Sequence, residues 1–192
     1  MQKDDIDLPQ REESGLSRRL FLGAGLGAAA SVSLVSPLEA AVRALPERAL
    51  SLYNIHTGEW LKTVYWANGR YIPRVLAQVN KLLRDHRSGD VHPIDPRLLD
   101  LLAATHRRLG GKGAIHVVSG YRSPATNAML AAYSDGVAQG SLHMSGKAVD
   151  IRIPGASVRT IGKAAKSLKV GGVGSYPASQ FVHVDTGRIR YW

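Results

Sequence analysis

Three residues far apart in the chain restrict how it can fold. His143 and Asp150 belong to Ser141-Leu142-His143-Met144-Ser145-Gly146-Lys147-Ala148-Val149-Asp150, and His183 to Phe181-Val182-His183-Val184-Asp185. Two imidazoles and a carboxylate form a three-ligand set of the kind catalytic zinc centres use, with a fourth position left for water. If they share one ion, the fold has to carry a loop, the strand after it and a late strand to one point. The spacing is loose by itself, so the rest of the chain has to provide that scaffold.

The local patterns around these residues fit. Ser141–Gly146 reads as a loop holding His143, and Ala148–Ile153 alternates as a strand carrying Asp150, ended by Pro154-Gly155. Gly146 permits the sharp path between the two. Phe181–Asp185 reads as a strand whose two-residue period puts His183 and Asp185 on one face. Asp185 is therefore open to two roles, orienting a ligand or serving as general base for a metal-activated water. Gly171–Pro177 reads as a glycine-rich strand or turn where a backbone or ligand approaches closely.

Upstream, Ala49–His56 and Leu61–Trp66 alternate as strands joined by a turn over Thr57–Trp60, a hairpin expected to gather Trp60, Tyr65 and Trp66 as packing aromatics. Apolar spacing predicts a helix over Pro73–Arg87. Asp95-Pro96, a capping residue followed by proline, starts a second helix that stops at Gly110-Gly111. His86, His92 and His106 lie on or beside these helices without partners and read as surface or capping residues. Ala114–Ser119 reads as a buried strand running into Gly120-Tyr121-Arg122-Ser123-Pro124. An arginine fixed in such a turn can hold a carboxylate or a developing oxyanion in two-pronged geometry. Thr126–Tyr133 suggests a short helix, Asp135–Gly140 a loop, and Ser157 caps a helix reaching Ser167.

Composition narrows the chemistry. The chain has 192 residues, 44% of them hydrophobic and 21% charged, enough to bury the core of one domain. It has no cysteine, which excludes disulfides, thiolate nucleophiles and cysteine-type zinc sites; a metal has to use histidine and carboxylate. Residues 1–44 carry Ser17-Arg18-Arg19-Leu20-Phe21-Leu22 and then a Gly/Ala-rich apolar run to Val35, too short and weakly apolar for a spanning helix. This segment resembles a twin-arginine export signal with small residues near Ala40, which implies periplasmic delivery in a folded state and no membrane attachment after cleavage. Residues 45–192 hold 20 Lys/Arg against 9 Asp/Glu, a balance that favours anionic partners. Nucleic acid is one, but no binding motif accompanies the charge and an export signal argues against it; an anionic cell-wall polymer is the other.

Three motifs in order carry a resemblance: Ser119-Gly120-Tyr121-Arg122-Ser123-Pro124, then Ser141-x-His143-x-x-Gly146-x-Ala148-x-Asp150, then Phe181-Val182-His183-Val184-Asp185-Thr186-Gly187 with Arg190-x-Trp192. From about Leu50 to Trp192 the chain resembles the YcbK-like murein endopeptidases, related to the zinc D-Ala-D-Ala carboxypeptidases of the hedgehog-type α+β fold. The resemblance implies one domain over residues 45–192, with a central antiparallel sheet flanked by helices. It also implies one zinc ion on His143, Asp150 and His183, and peptidoglycan stem peptides or their cross-links as substrate. Arg122 is the implied substrate or transition-state contact, with Ser119, Tyr121 and Ser141 as further substrate-binding residues.

One position departs from the carboxypeptidase branch, whose catalytic glutamate stands three residues before the last histidine ligand: here it is Gln180, and an amide cannot take the proton. The expectation for this chain is accordingly Asp185 as base and Arg122 steadying the oxyanion, in a periplasmic endopeptidase of D,D or L,D type. The alternative is a wall-binding protein that keeps zinc without turnover.

Overall fold

The expected hairpin forms from β1 (Arg48–Asn54) and β2 (Trp60–Ala67), and alternation decides which way its residues face: Leu50, Leu52 and Asn54 turn inward while their neighbours do not. The computed structural model describes residues 46–133 and 136–192; the export segment expected over residues 1–44 lies outside them, as does Asp135 of the loop expected before Gly140. The aromatic cluster expected at the hairpin does not form. Trp60 opens β2 instead of closing the turn, is 63% exposed, and lies against Tyr53 with ring centroids 4.6 Å apart and planes tilted by 35°. Tyr65 is fully buried, and Trp66 lies under the Arg48 guanidinium at 4.4 Å. Five or six residues of extended strand separate the first aromatic from the others, roughly 17 Å.

After the short β3 (Arg70–Tyr71), α1 (Pro73–Leu82) starts on proline and stops five residues before the expected Arg87. The Leu83 carbonyl is taken by the Tyr121 amide (2.7 Å), and the Asp85 carboxylate captures the Arg87 amide (2.9 Å), so the next helical bonds are replaced. α2 (Pro96–Arg108) begins as expected, with the Asp95 carboxylate accepting from the Arg97 amide. Its Leu98, Leu99, Leu101 and Leu102 are all buried. Asp100 on the same helix ties it to the hairpin, accepting from Tyr65 and Tyr71 hydroxyls and pairing with Arg48 at 2.7 Å.

β4 (Ile115–Ser119), α3 (Pro124–Tyr133), β5 (Ala148–Arg152), α4 (Val158–Lys166), β6 (Gly172–Tyr176), β7 (Phe181–Asp185) and β8 (Arg190–Tyr191) complete the chain. Ser157 caps α4 by accepting from Thr160. The loop expected over Ser141–Gly146 contains a 3-10 turn, Leu142–Ser145. Among the described residues eight strands make one sheet in the order β3-β2-β1-β4-β5-β7-β6-β8, and their architecture is α+β in a single domain. The sheet is antiparallel except at β1–β4 and β6–β8, which run parallel.

One face of the sheet forms the core. Leu52, Ile115, Val117, Val149, Ile151, Val173, Val182 and Val184 pack there with residues of α1, α2 and α4. The other face carries Asp150, paired across β5–β7 with His183, which is paired across β6–β7 with Gly174. A bulge in β4 matters here: Val117 pairs with Ile151 but Ser119 pairs with Asp150, so Val118 is the extra residue. Without it Ser119 would share the core face of Val117; the bulge turns it to the face of Asp150.

Candidate metal centre

His143, Asp150 and His183 meet at one point, all buried, and offer ligand atoms within 4.8 Å of one another. His183 Nδ1 lies 2.9 Å from Asp150 Oδ1, His143 Nε2 lies 3.3 Å from that oxygen, and the two nitrogens are 3.2 Å apart. A tetrahedral ion with bonds of about 2.0–2.2 Å spaces its ligands about 3.3–3.6 Å apart, so a small outward movement of the ligands separates this arrangement from a loaded one.

The outer contacts of each imidazole fix which nitrogen faces inward. His143 Nδ1 lies 2.6 Å from the Gly120 carbonyl, which can only accept, so Nδ1 carries the proton and Nε2 presents a lone pair. His183 Nε2 lies 3.0 Å from Asp185 Oδ2 and donates to that carboxylate, which leaves Nδ1 bare toward Asp150. Three lone-pair donors this close repel one another unless a cation lies among them. Burial opposes charge here, yet the two histidines hold Asp150 well below the usual carboxylate range, and Asp150 and Asp185 together outweigh burial to raise His183.

Each ligand is placed by elements that cannot move independently. Asp150 and His183 are set by strand register. His143 rides on the 3-10 turn, where the Ser141 hydroxyl accepts from its amide at 3.3 Å and Gly146, at φ 65°, ends the turn. A Cβ at 146 would run into the Pro93 carbonyl, while the Gly146 carbonyl accepts from the Asp95 amide at 2.9 Å, docking the turn on the start of α2.

Asp185 is fully buried behind His183. Its Oδ1 accepts from the Gly172 and Gly187 amides (2.9 and 2.8 Å) and from Arg190 (3.1 Å), and its Oδ2 accepts from His183 and Arg190 (2.7 Å). These five donors, against the pull of burial, keep it well below the carboxylate range. Gln180 stands away from the three ligands at φ 56°, its amide donating to the Pro177 carbonyl, on a groove beside α4.

The three ligands open into a cleft of about 590 Å³ that Ser119, Arg122 and Ser141 also line. Arg122 NH2 lies 3.6 Å from Asp150 Oδ2, its NH1 reaches Asn127 Oδ1 at 3.5 Å, and its buried Nε has no partner among the described residues. The guanidinium thus has donors to spare. Tyr121 is a correction: it does not line the cleft but stacks on His92 at 4.6 Å against the core, because successive residues past β4 turn to opposite sides. Among the described residues His86, His92 and His106 are not part of this group, and His106 is buried, its Nε2 3.0 Å from the Lys112 carbonyl, where a surface or capping position was expected.

Several contributors had no signal in the sequence. Asp85, buried under the Gly120–Pro124 turn, accepts from the Ser123 amide and hydroxyl at 2.9 Å each and so holds the turn that carries Arg122. His56, Arg87 and Tyr176 line the cleft as well, and so does Trp192, which ends the Arg190-x-Trp192 motif.

A family model described as peptidoglycan L,D-endopeptidase MepK matches residues 42–192. The chain belongs to this family. It is a peptidase. Among similar proteins, the peptidoglycan L,D-endopeptidase MepK of Escherichia coli strain K12 is 42% identical over 176 residues, 92% of this chain and 97% of that protein. That of Shigella flexneri matches to the same extent. The probable peptidoglycan L,D-endopeptidase MepK of Haemophilus influenzae is 40% identical over 178 residues, covering 92% and 95%.

Proposed function

We propose that this peptidase is a one-zinc endopeptidase that cuts L,D cross-links of peptidoglycan in the periplasm. The observation that carries the reading is the convergence of His143 Nε2, His183 Nδ1 and one Asp150 oxygen, each bare toward the same point, inside a peptidase family whose relatives are named for that activity. A zinc ion bound there would polarise the scissile carbonyl and lower the pKa of a water toward about 7. His/Asp ligation also admits other divalent ions, so zinc is a choice made on the donor set.

The chain's own residues then have separate tasks. Gly120 and Asp185 keep the two imidazoles in the tautomers that ligation needs. Of the two roles open to Asp185, its enclosure behind His183 supports the orienting one rather than that of base. Arg122, with unused donors at the cleft wall, meets a carboxylate or the developing oxyanion of the substrate. Ser119 and Ser141 offer hydroxyls along the same wall.

Gln180, turned toward the α4 groove, does not decide between catalysis and the wall-binding alternative. Export through the twin-arginine route rests on Arg18-Arg19 and the apolar run after them; the excess of basic residues in 45–192 suits an anionic partner, and for an exported protein that partner is peptidoglycan rather than nucleic acid. Among the described residues no helix is long and apolar enough to cross a membrane.

Digestion of purified peptidoglycan, with and without chelator and beside His143→Ala, tests the reading. Cross-linked dimers should fall to monomers only with metal and His143 present, and product masses should place the cut at L,D bonds. Stoichiometric zinc without product on any wall type would instead favour the binding module. Arg18-Arg19→Lys-Lys should leave unexported precursor.

A further inference from the structure

The far wall of the cleft carries a group that the ligand set does not explain. Tyr176, on β6, is paired with Phe181, and Gly174, two residues earlier, with His183. Tyr176 therefore shares the face of His183, about 7 Å further along the strand. Its ring stacks on Phe181 at 4.6 Å and 20°. Trp192 lies over Gly174, where a Cβ would come 2.5 Å from the indole, and its ring sits 5.4 Å from that of His183. The Trp192 indole N–H donates to the Tyr176 oxygen at 2.8 Å. Arg190, bound to Asp185, lies 5.0 Å over the same indole.

An indole N–H is only a donor, so the Tyr176 oxygen is the acceptor in that bond and keeps its own hydrogen. Among the described residues nothing accepts it. The phenol is held twice, by the Phe181 stack and by Trp192, with one unspent O–H on the wall of the cleft. Arg122 stands beyond β5 on the other side of Asp150 and His183, so the two donors bracket the ligands across the order β4-β5-β7-β6.

We propose that Tyr176 is a catalytic residue whose hydroxyl donates to the carbonyl oxygen of the bond being cut, and that Trp192 is a positioning residue that aims it. The proposal rests on the hydrolytic reading of the site. A donor fixed before the substrate arrives needs no reorganisation as negative charge develops on that oxygen, and removing one such donor costs about 10²–10³ in kcat.

The test uses purified cross-linked muropeptide dimers with wild type, Tyr176→Phe, Trp192→Phe, the double variant and His143→Ala. Tyr176→Phe should lower kcat about a hundredfold with KM within about twofold, while zinc affinity and Tm stay unchanged. Trp192→Phe keeps an aromatic ring but loses the N–H together with part of the indole; it should lower kcat less, and the double variant should be no worse than Tyr176→Phe, because Trp192 acts through that hydroxyl. A Tyr176→Phe protein within about threefold of wild-type kcat overturns the proposal, as does one whose loss follows zinc affinity or Tm. Multiplied losses in the double variant also overturn it. Wild type as inert as His143→Ala would sink the hydrolytic reading and this proposal together.

Discussion

Replacing Asp185 with asparagine separates its two conceivable roles. The wild-type carboxylate accepts five hydrogen bonds, three on Oδ1 and two on Oδ2. Asparagine keeps one acceptor, and the three donors converging on Oδ1 require it there. The new NH2 then faces Arg190, which can only donate, and His183 Nε2. The imidazole answers by accepting at Nε2, which moves its proton to Nδ1, the atom 2.9 Å from Asp150 that a metal needs bare. Loss of such an orienting carboxylate typically costs 10–100-fold in metal affinity, about 1.4–2.7 kcal/mol. Competition against a chromophoric chelator should show zinc affinity reduced by that factor, with peptidase activity partly restored by excess zinc. Were Asp185 the proton acceptor instead, affinity would hold at the wild-type value while activity vanished at every zinc concentration, and that result would refute the tautomer argument.

Other expectations follow from features away from the ions' ligands. Gly146→Ala forces a side chain into a left-handed turn against the Pro93 carbonyl; stability should fall by about 2 kcal/mol or more, together with zinc affinity, in urea titrations with and without metal. Burial, reinforced by Asp100, pushes the Tyr71 hydroxyl up to about 12 and Tyr65 higher still. The unfolded tyrosines ionise near 10, so their contribution to stability is present below pH 10 and is lost as pH rises from there. Asp100→Asn should weaken that alkaline loss, read by denaturation between pH 9 and 12. Burial, with His56 adding, depresses His86 to about 4. The unfolded imidazole takes its proton near 6.5 and the folded one does not, so stability declines as pH falls from 6.5 toward 4; His86→Phe, which keeps the 3.8 Å stack on His56, should flatten that decline.

The ligand set was readable because its chemistry is narrow and because strand period alone puts His183 beside Asp185. The helix caps at Asp95 and Ser157 were readable for a similar reason, each being a local bond to a residue two or three positions on. What escaped is non-local. Asp85 acts on Ser123 across 38 residues, and nothing beside it in sequence marks it. The extra residue at Val118 has no signature, yet it sends Ser119 to the cleft. Tyr121 illustrates the reverse error: it sits inside the motif, but the chain's alternation carries Arg122 into the cleft and Tyr121 onto His92. Helix α1 ends early because the Leu83 carbonyl accepts from the Tyr121 amide, far along the chain in the turn after β4.

The pairing of Asp150 with His183 across β5 and β7 bears on how this protein can change over time. Slipping that pair by one residue would send both ligands into the core and bring Val149 and Val184 out to the cleft, losing chemistry and packing in a single event. Length changes inside these two strands are therefore barred twice over, whereas the Pro177–Gln180 turn between β6 and β7 lies outside the ladder. Insertions and deletions that survive should concentrate in such turns, and a library of single-codon deletions would map the strand pair as a continuous intolerant block.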